Sequence, residues 1–243
     1  MAGTARTARE RARAEITQEI VEAGRRQLAE VGAQQLSLRA VAREVGMVSS
    51  AVYRYFPSRD ELLTRLIVDA YGALADHADT AEKAVSRSRY RERWFAATSA
   101  VREWAVKNPH EYALVYGSPV PGYQAPEATI EPATRVAAVL LRPIRGAAQG
   151  GLLSAPDVSP SGRRGLGRDL QSQLQAVAEA VAPELPQDVL VRVLMAWTHL
   201  FGIISFELFG HLVGSMDPAG PFFEHVMEQY ADYIGLPARS PRR

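Results

Sequence analysis

The chain has 243 residues, a hydrophobic fraction of 47%, a formal net charge of +1 and no cysteine. That length and apolar content support one large or two modest domains with a sizeable packed core. The missing thiols exclude disulfides, thiol nucleophiles, cysteine-based redox sensing and cysteine-ligated zinc, and the arginine-rich amino end, which lacks an apolar core, excludes a secretory signal and gives the expectation of a cytoplasmic protein.

Basic charge gathers at the amino end, where residues 1–60 hold ten arginines against seven carboxylates. Arg6, Arg9, Arg11 and Arg13 precede the first apolar stripe, so they form either a flexible arm reaching phosphates or a minor groove, or a frayed, solvated terminus. Apolar residues at Ile16, Ile20, Ala23, Leu28 and Val31 then mark one face of a long helix, stopped by Gly32. Next comes SLRAVAREVGMVSSAVYRYF, from Ser37 to Phe56, with Ala42, Gly46 and Val52 at helix-turn-helix spacing. Ala42 is small enough for close helix crossing, Gly46 suits the positive φ of the turn, and Val52 points back into the pair. A second helix from about Ser49 to Phe56 leaves Ser49, Ser50, Ala51, Tyr53 and Arg54 for DNA, as hydroxyl and guanidinium groups beside one small apolar side chain. Ser58 to Glu61 reads as a capping box that starts a further helix directly after Pro57.

The whole pattern, I16…G32…LSLRAVAREVGMVSSAVYRYFPSRDELL, resembles the DNA-binding domain of the TetR family of transcriptional regulators over roughly Ile16 to Tyr71. The resemblance implies an all-α protein with a three-helix DNA-binding domain and a larger helical domain for effector binding and dimerisation. It also assigns Arg39, Tyr53, Tyr55 and Arg59 to the DNA backbone or groove. Val48 departs from the family pattern, because the recognition helix commonly begins there with a capping Ser or Thr; Ser49 is expected to take over the cap. Phe56 is read as core.

Beyond Tyr71 the periodicity stays helical, with candidate helices at about 60–84, 89–108, 127–151, 166–181, 186–214 and 218–235. Pro143 is expected to kink the third of these. Residues 117–126 read as a loop, residues 154–167 as a mobile linker, and the tail after Pro237 carries no apolar stripe. The expected organisation is therefore a DNA-binding domain with its basic arm over 1–57, a connector helix over 58–84, an effector and dimerisation domain over 85–236 and a tail over 237–243. The longest charge-free apolar run, between Arg192 and Glu207, is too short to span a bilayer and reads as a buried helix.

Aromatic residues cluster in this second half: Trp94, Trp104, Tyr112, Tyr116 and Tyr123 around 89–123, then Trp197, Phe201, Phe206 and Phe209 on the apolar helix. Each alone reads as core; the cluster reads as a ligand pocket. Within it Trp104, Tyr112, Tyr116, Trp197 and Phe201 are expected to contact an apolar or aromatic ligand, with His199 or Glu207 orienting its polar group. The segment W197-THLF-G202-IISF-E207-L resembles the carboxy-terminal domain of a TetR subgroup named for its Trp, His and Gly residues. His199, Glu207 and His211 share a helix face, and mutual satisfaction or pairing with an arginine is favoured there over a metal. Gly202, Gly210 and Gly214 lower helix stability by about 1 kcal/mol each relative to Ala. With Phe206 they form a ridge that, against Phe223, Met227 and Tyr230, reads as a four-helix dimer interface or as tight packing within one subunit.

No nucleophile elbow, dinucleotide fingerprint, phosphate-binding loop or paired metal motif is present, so neither an enzyme nor a cofactor is expected. Three readings remain: a homodimeric repressor released from a pseudo-palindromic duplex operator by a small ligand, an effector-independent DNA-binding dimer or activator, and a helical small-molecule binder without DNA function. The intact Ser50 to Arg59 surface counts against the third.

Overall fold

The computed structural model describes residues 7–154 and 166–238, and the expected linker and tail lie largely outside them. In these residues all regular structure is helical: α1 (Ala8–Val31), α2 (Leu38–Glu44), α3 (Ser49–Val52), α4 (Arg59–Lys83), α5 (Tyr90–Lys107), α6 (Pro109–Tyr116), α7 (Ile130–Gln149), α8 (Arg168–Val181), α9 (Gln187–Leu208) and α10 (Gly220–Ile234), with 3₁₀ turns at Ala33–Gln35 and Glu127–Thr129.

The chain divides into two compact units, one of residues 1–70 and 108–130, the other of 71–107 and 131–243. These boundaries differ from the expected ones at 57 and 84. The first division falls inside the continuous helix α4, and the first unit gains α6 from far downstream. Helix α6 escaped the sequence reading because it is only eight residues long and is separated from α5 by a single residue, Asn108.

In the first unit α1 packs on α2 and α6, and Ile20, Val21, Val41, Val52, Leu62 and Leu63 are fully buried. A Thr7–Glu10 capping box opens α1, with Thr7 N–H donating to Glu10 Oε2 at 2.8 Å and Glu10 N–H to Thr7 Oγ1 at 3.3 Å. Arg9, Arg11 and Arg13 are therefore helical, contrary to the flexible arm; Arg6 lies outside the described residues. The expected cap at Ser58 is present, its Oγ accepting from Glu61 N–H at 3.1 Å.

In the second unit α9 packs on α5, α8 and α10. Two buried arginines hold the end of α10, whose last carbonyls need donors. Arg192 donates to the carbonyls of Tyr233 and Ile234 at 3.1 and 3.2 Å, and Arg91 to those of Leu236 and Pro237 at 3.2 and 3.1 Å. By length and composition α9 is apolar enough to cross a membrane, but half of its apolar window is buried against its own unit and it carries Arg192 inside. Pro143 lies buried within the single helix α7.

Candidate nucleic-acid interface

Helix α2 ends where the sequence places the turn. Gly46 adopts φ 67°, a conformation that disfavours any side chain, and Met47 N–H closes onto the Ala42 carbonyl at 2.8 Å. Ala42 and Val52 are both fully buried, which fixes α3 against α2 and leaves Ser50 on the outward side. Ser50, Tyr53 and Arg54 are exposed, with Arg39 exposed on α2; Ser49 and Ala51 are half-buried.

Several details differ from the expectation. The α-helical part of α3 is one turn, and Tyr53 to Tyr55 continue it as tighter turns in which Arg54 and Tyr55 N–H reach the carbonyls of Ala51 and Val52 at 3.2 and 2.9 Å. Val48 occupies the cap position, and Ser49 is the first helical residue rather than the cap. Arg59 is committed to the fold: Nη2 donates to the Ala33 and Gln34 carbonyls at 2.7 and 3.1 Å, and Nε to the Leu36 carbonyl at 3.1 Å. This guanidinium ties the 3₁₀ turn between α1 and α2 to the start of α4, a structural role that the sequence position does not reveal. Tyr55 is half-buried beneath the Arg13 guanidinium, 5.1 Å from the ring centre, and Arg13 Nη2 also approaches the Arg54 carbonyl at 3.4 Å. That contact was not legible in sequence, because it joins positions 41 residues apart.

The expected ligand residues divide between the two units. Tyr112, fully buried, and Tyr116 belong to the first, with ring centres 5.3 Å apart; Tyr123 of the same unit shares a 2.9 Å hydrogen bond with Thr64. Trp104, Trp197, His199, Phe201 and Glu207 belong to the second, where Trp197 and Phe201 lie 4.7 Å apart by ring centre. The polar anchors are already engaged. Glu207 accepts from Arg102 Nε and Nη2 at 2.7 and 2.5 Å, and His199 Nδ1 lies 2.8 Å from the Tyr230 hydroxyl, which burial and the neighbouring Tyr233 keep protonated above its ordinary range. The His199, Glu207 and His211 set does not converge: His211 instead packs on Phe206, ring centres 5.0 Å apart, and no group of three metal-ligating side chains occurs among the described residues.

The glycine ridge is also corrected. Helix α9 ends at Leu208, and Gly210 caps it with φ 80°, while His211 N–H closes onto the Phe206 carbonyl at 2.8 Å. Gly214, at φ 76°, lies in the following turns. Phe223 and Met227 point into their own core. What remains outward is a stripe of Met195, His199, Gly202 and Phe206 on α9, and Gln229, Tyr230 and Tyr233 on α10. Around its middle, Met195, His199, His225, Tyr230 and Tyr233 line a shallow groove of about 570 Å³.

A helix-turn-helix frame with Ala42 and Val52 buried and Gly46 in the turn, presenting an exposed hydroxyl, aromatic and guanidinium face and joined to a second unit whose described regular structure is helical, defines a helix-turn-helix transcriptional regulator. The model of bacterial regulatory proteins of the tetR family matches residues 20–66, and that of the tetracyclin repressor-like C-terminal domain matches residues 94–230. The HTH-type transcriptional regulators Rv1816 of Mycobacterium tuberculosis and Mb1846 of Mycobacterium bovis are each 43% identical to it over 227 residues, 91% of this chain and 94% of theirs. The crystal structure of the regulatory protein SCO4313 superposes with a TM-score of 0.74 at 32% identity, covering 93% of this chain and all of that one. The TetR family regulator PfmR from Thermus thermophilus, at 17% identity and a TM-score of 0.53 over 97% of this chain and 99% of its own, shares the fold. The chain belongs to the TetR family of transcriptional regulators, which are DNA-binding proteins rather than enzymes. The Trp-His-Gly subgroup is a narrower assignment than these matches carry.

Proposed function

We propose that the protein is a cytoplasmic homodimeric repressor that binds a pseudo-palindromic duplex and leaves it when a small apolar or aromatic molecule binds the second unit. The observation that carries the DNA reading is the division across α3 and the turn after it: Val52 is fully buried while Ser50, Tyr53 and Arg54 are exposed, with Arg39 exposed on α2. Base-edge reading falls to Ser50 and Tyr53, and phosphate contact to Arg39 and Arg54. One such surface reads few base pairs, so a two-fold pair is needed for a specific site.

The outward α9–α10 stripe supports pairing. Gly202 lies mid-helix, and a Cβ there would meet nothing within 4 Å in its own subunit. A glycine that lowers helix stability by about 1 kcal/mol without relieving an internal clash fits the close approach of a partner helix. For the effector we favour the apolar α5–α9 layer that carries Trp104, Trp197 and Phe201, since Glu207 and His199 already have partners.

The test is selection of bound sequences from random duplex with light scattering on the complex. A two-fold symmetric site bound by an even number of subunits is the expected result. A non-symmetric site bound by a monomer overturns the proposal.

A further inference from the structure

Three stretches of chain cross between the two units: the middle of α4, the Asn108 joint between α5 and α6, and the start of α7. The first two reach the DNA-binding unit within a few residues of one side chain. Arg25 of α1 places Nη2 3.3 Å from Asp69 Oδ2 on α4, one residue before the division, and Nε 3.1 Å from Glu111 Oε1 on α6, three residues after Asn108. Asp69 also accepts from Arg65 Nε at 2.8 Å. Both carboxylates are 19% exposed and Arg25 33%, so screening by water is reduced. The buried Nε–H of Arg25 has no acceptor in line with it, so the Glu111 contact is an ion pair without a hydrogen bond.

Helix α1 then continues toward the recognition surface. Its Arg13, about 18 Å along the axis from Arg25, covers the Tyr55 ring and meets the Arg54 carbonyl directly behind α3. Between these ends α1 lies tightly on α4, since a Cβ on Gly24 would sit 3.3 Å from both Leu62 and Leu66.

We infer that Arg25 is a positioning residue for regulation: it clamps α4 and α6 where the chain leaves for the effector unit, and α1 transmits the state of that clamp through Arg13 to the Tyr53–Tyr55 turn. This rests on the DNA-binding reading above and adds a route to it. The connector α4 is thus one of two elements held by a common bar, and a shift of α5 reaches α3 through the single-residue Asn108 joint, α6, Arg25 and α1.

The test uses the full chain with R25Q, E111Q and the double variant, a selected duplex for binding, and hydrogen exchange of residues 49–56. By charge alone, E111Q removes a carboxylate from a DNA-binding unit and tightens binding. The clamp requires the opposite: E111Q weakens operator binding roughly two- to thirty-fold, R25Q does the same without changing the salt slope, and the double variant is no worse than R25Q. Amides of 49–56 exchange faster in both single variants while thermal unfolding stays cooperative.

Two results overturn the inference: E111Q binding DNA as well as or better than wild type with exchange at 49–56 unchanged, or additive effects of the two variants. If the wild-type chain selects no duplex, the DNA reading fails separately, and the exchange of 49–56 in E111Q still decides whether α6 communicates with α3.

Discussion

The Arg59 guanidinium shows how far chemistry and role can separate at a single residue. Its position at the start of α4 invites a phosphate contact, but three backbone carbonyls at 33, 34 and 36 take its donors. Arg59→Ala is therefore expected to lower stability by about 1–2 kcal/mol, a charged hydrogen-bond set discounted for partial exposure. DNA affinity falls with the folded fraction, and the slope of log affinity against log salt is unchanged; chemical denaturation beside a salt titration separates these from a lost phosphate contact. Tyr53 behaves differently. It is 43% exposed on the recognition surface, so Tyr53→Ala is expected to leave the denaturation midpoint nearly unchanged and to shift the base preference of duplexes recovered by selection. Identical recovered sequences for wild type and Tyr53→Ala would remove Tyr53 from base reading.

At the scale of elements, the helix-turn-helix was legible because its requirements are local: a small residue at 42, a positive φ at 46 and an apolar anchor at 52 fall within a few turns of chain. The end of α9 was not, because the apolar period runs on through Phe209 and Val213 and only backbone geometry shows that Gly210 is a cap. Nor were the partners of Arg13, Arg25 and Glu207, each set by residues tens of positions away. The corrected geometry changes the mutational expectation. Gly210→Leu forces a side chain into the left-handed region and lowers stability by about 1–2 kcal/mol without a specific effect on assembly. A Cβ at Gly202 meets nothing within 4 Å in its own subunit, so Gly202→Leu is expected to preserve thermal stability while shifting light scattering toward monomer. Acid acts on another element pair. Burial acts to raise the Asp79 pKa, but hydrogen bonds from Lys83 and from Arg142 of α7 outweigh it and hold it below the ordinary value of 3.8. A depressed carboxyl contributes stability that is complete above 3.8 and is lost as pH falls through the folded-state value. Urea midpoints taken from about pH 5 to about pH 2 should thus fall further in wild type than in Asp79→Asn.

For the whole molecule, regulation requires that a ligand prefer one arrangement of the DNA-binding unit over another; equal affinity for both shifts nothing. A typical coupling of about 1 to 3 kcal/mol corresponds to roughly five- to 150-fold weaker operator binding. The second unit offers Trp197 packed against Phe201 as a reporter, on the same helix whose outward stripe we assign to the dimer. Titration with a panel of hydrophobic aromatic compounds is therefore expected to quench tryptophan fluorescence and release a bound duplex over the same concentration range. Trp197→Leu should weaken both responses together while leaving ligand-free operator affinity intact, because Trp197 lies in the second unit, in the proposed effector layer, and not in the helix-turn-helix unit. Glu207→Gln separates two roles for that carboxylate. If Glu207 serves only to hold Arg102 between α5 and α9, the variant loses stability and binds the compounds as before; a selective loss of ligand affinity at unchanged stability would return Glu207 to the effector site. Compounds that quench without releasing the duplex would show a binding unit uncoupled from DNA, and the effector-independent dimer would then replace the ligand-released repressor.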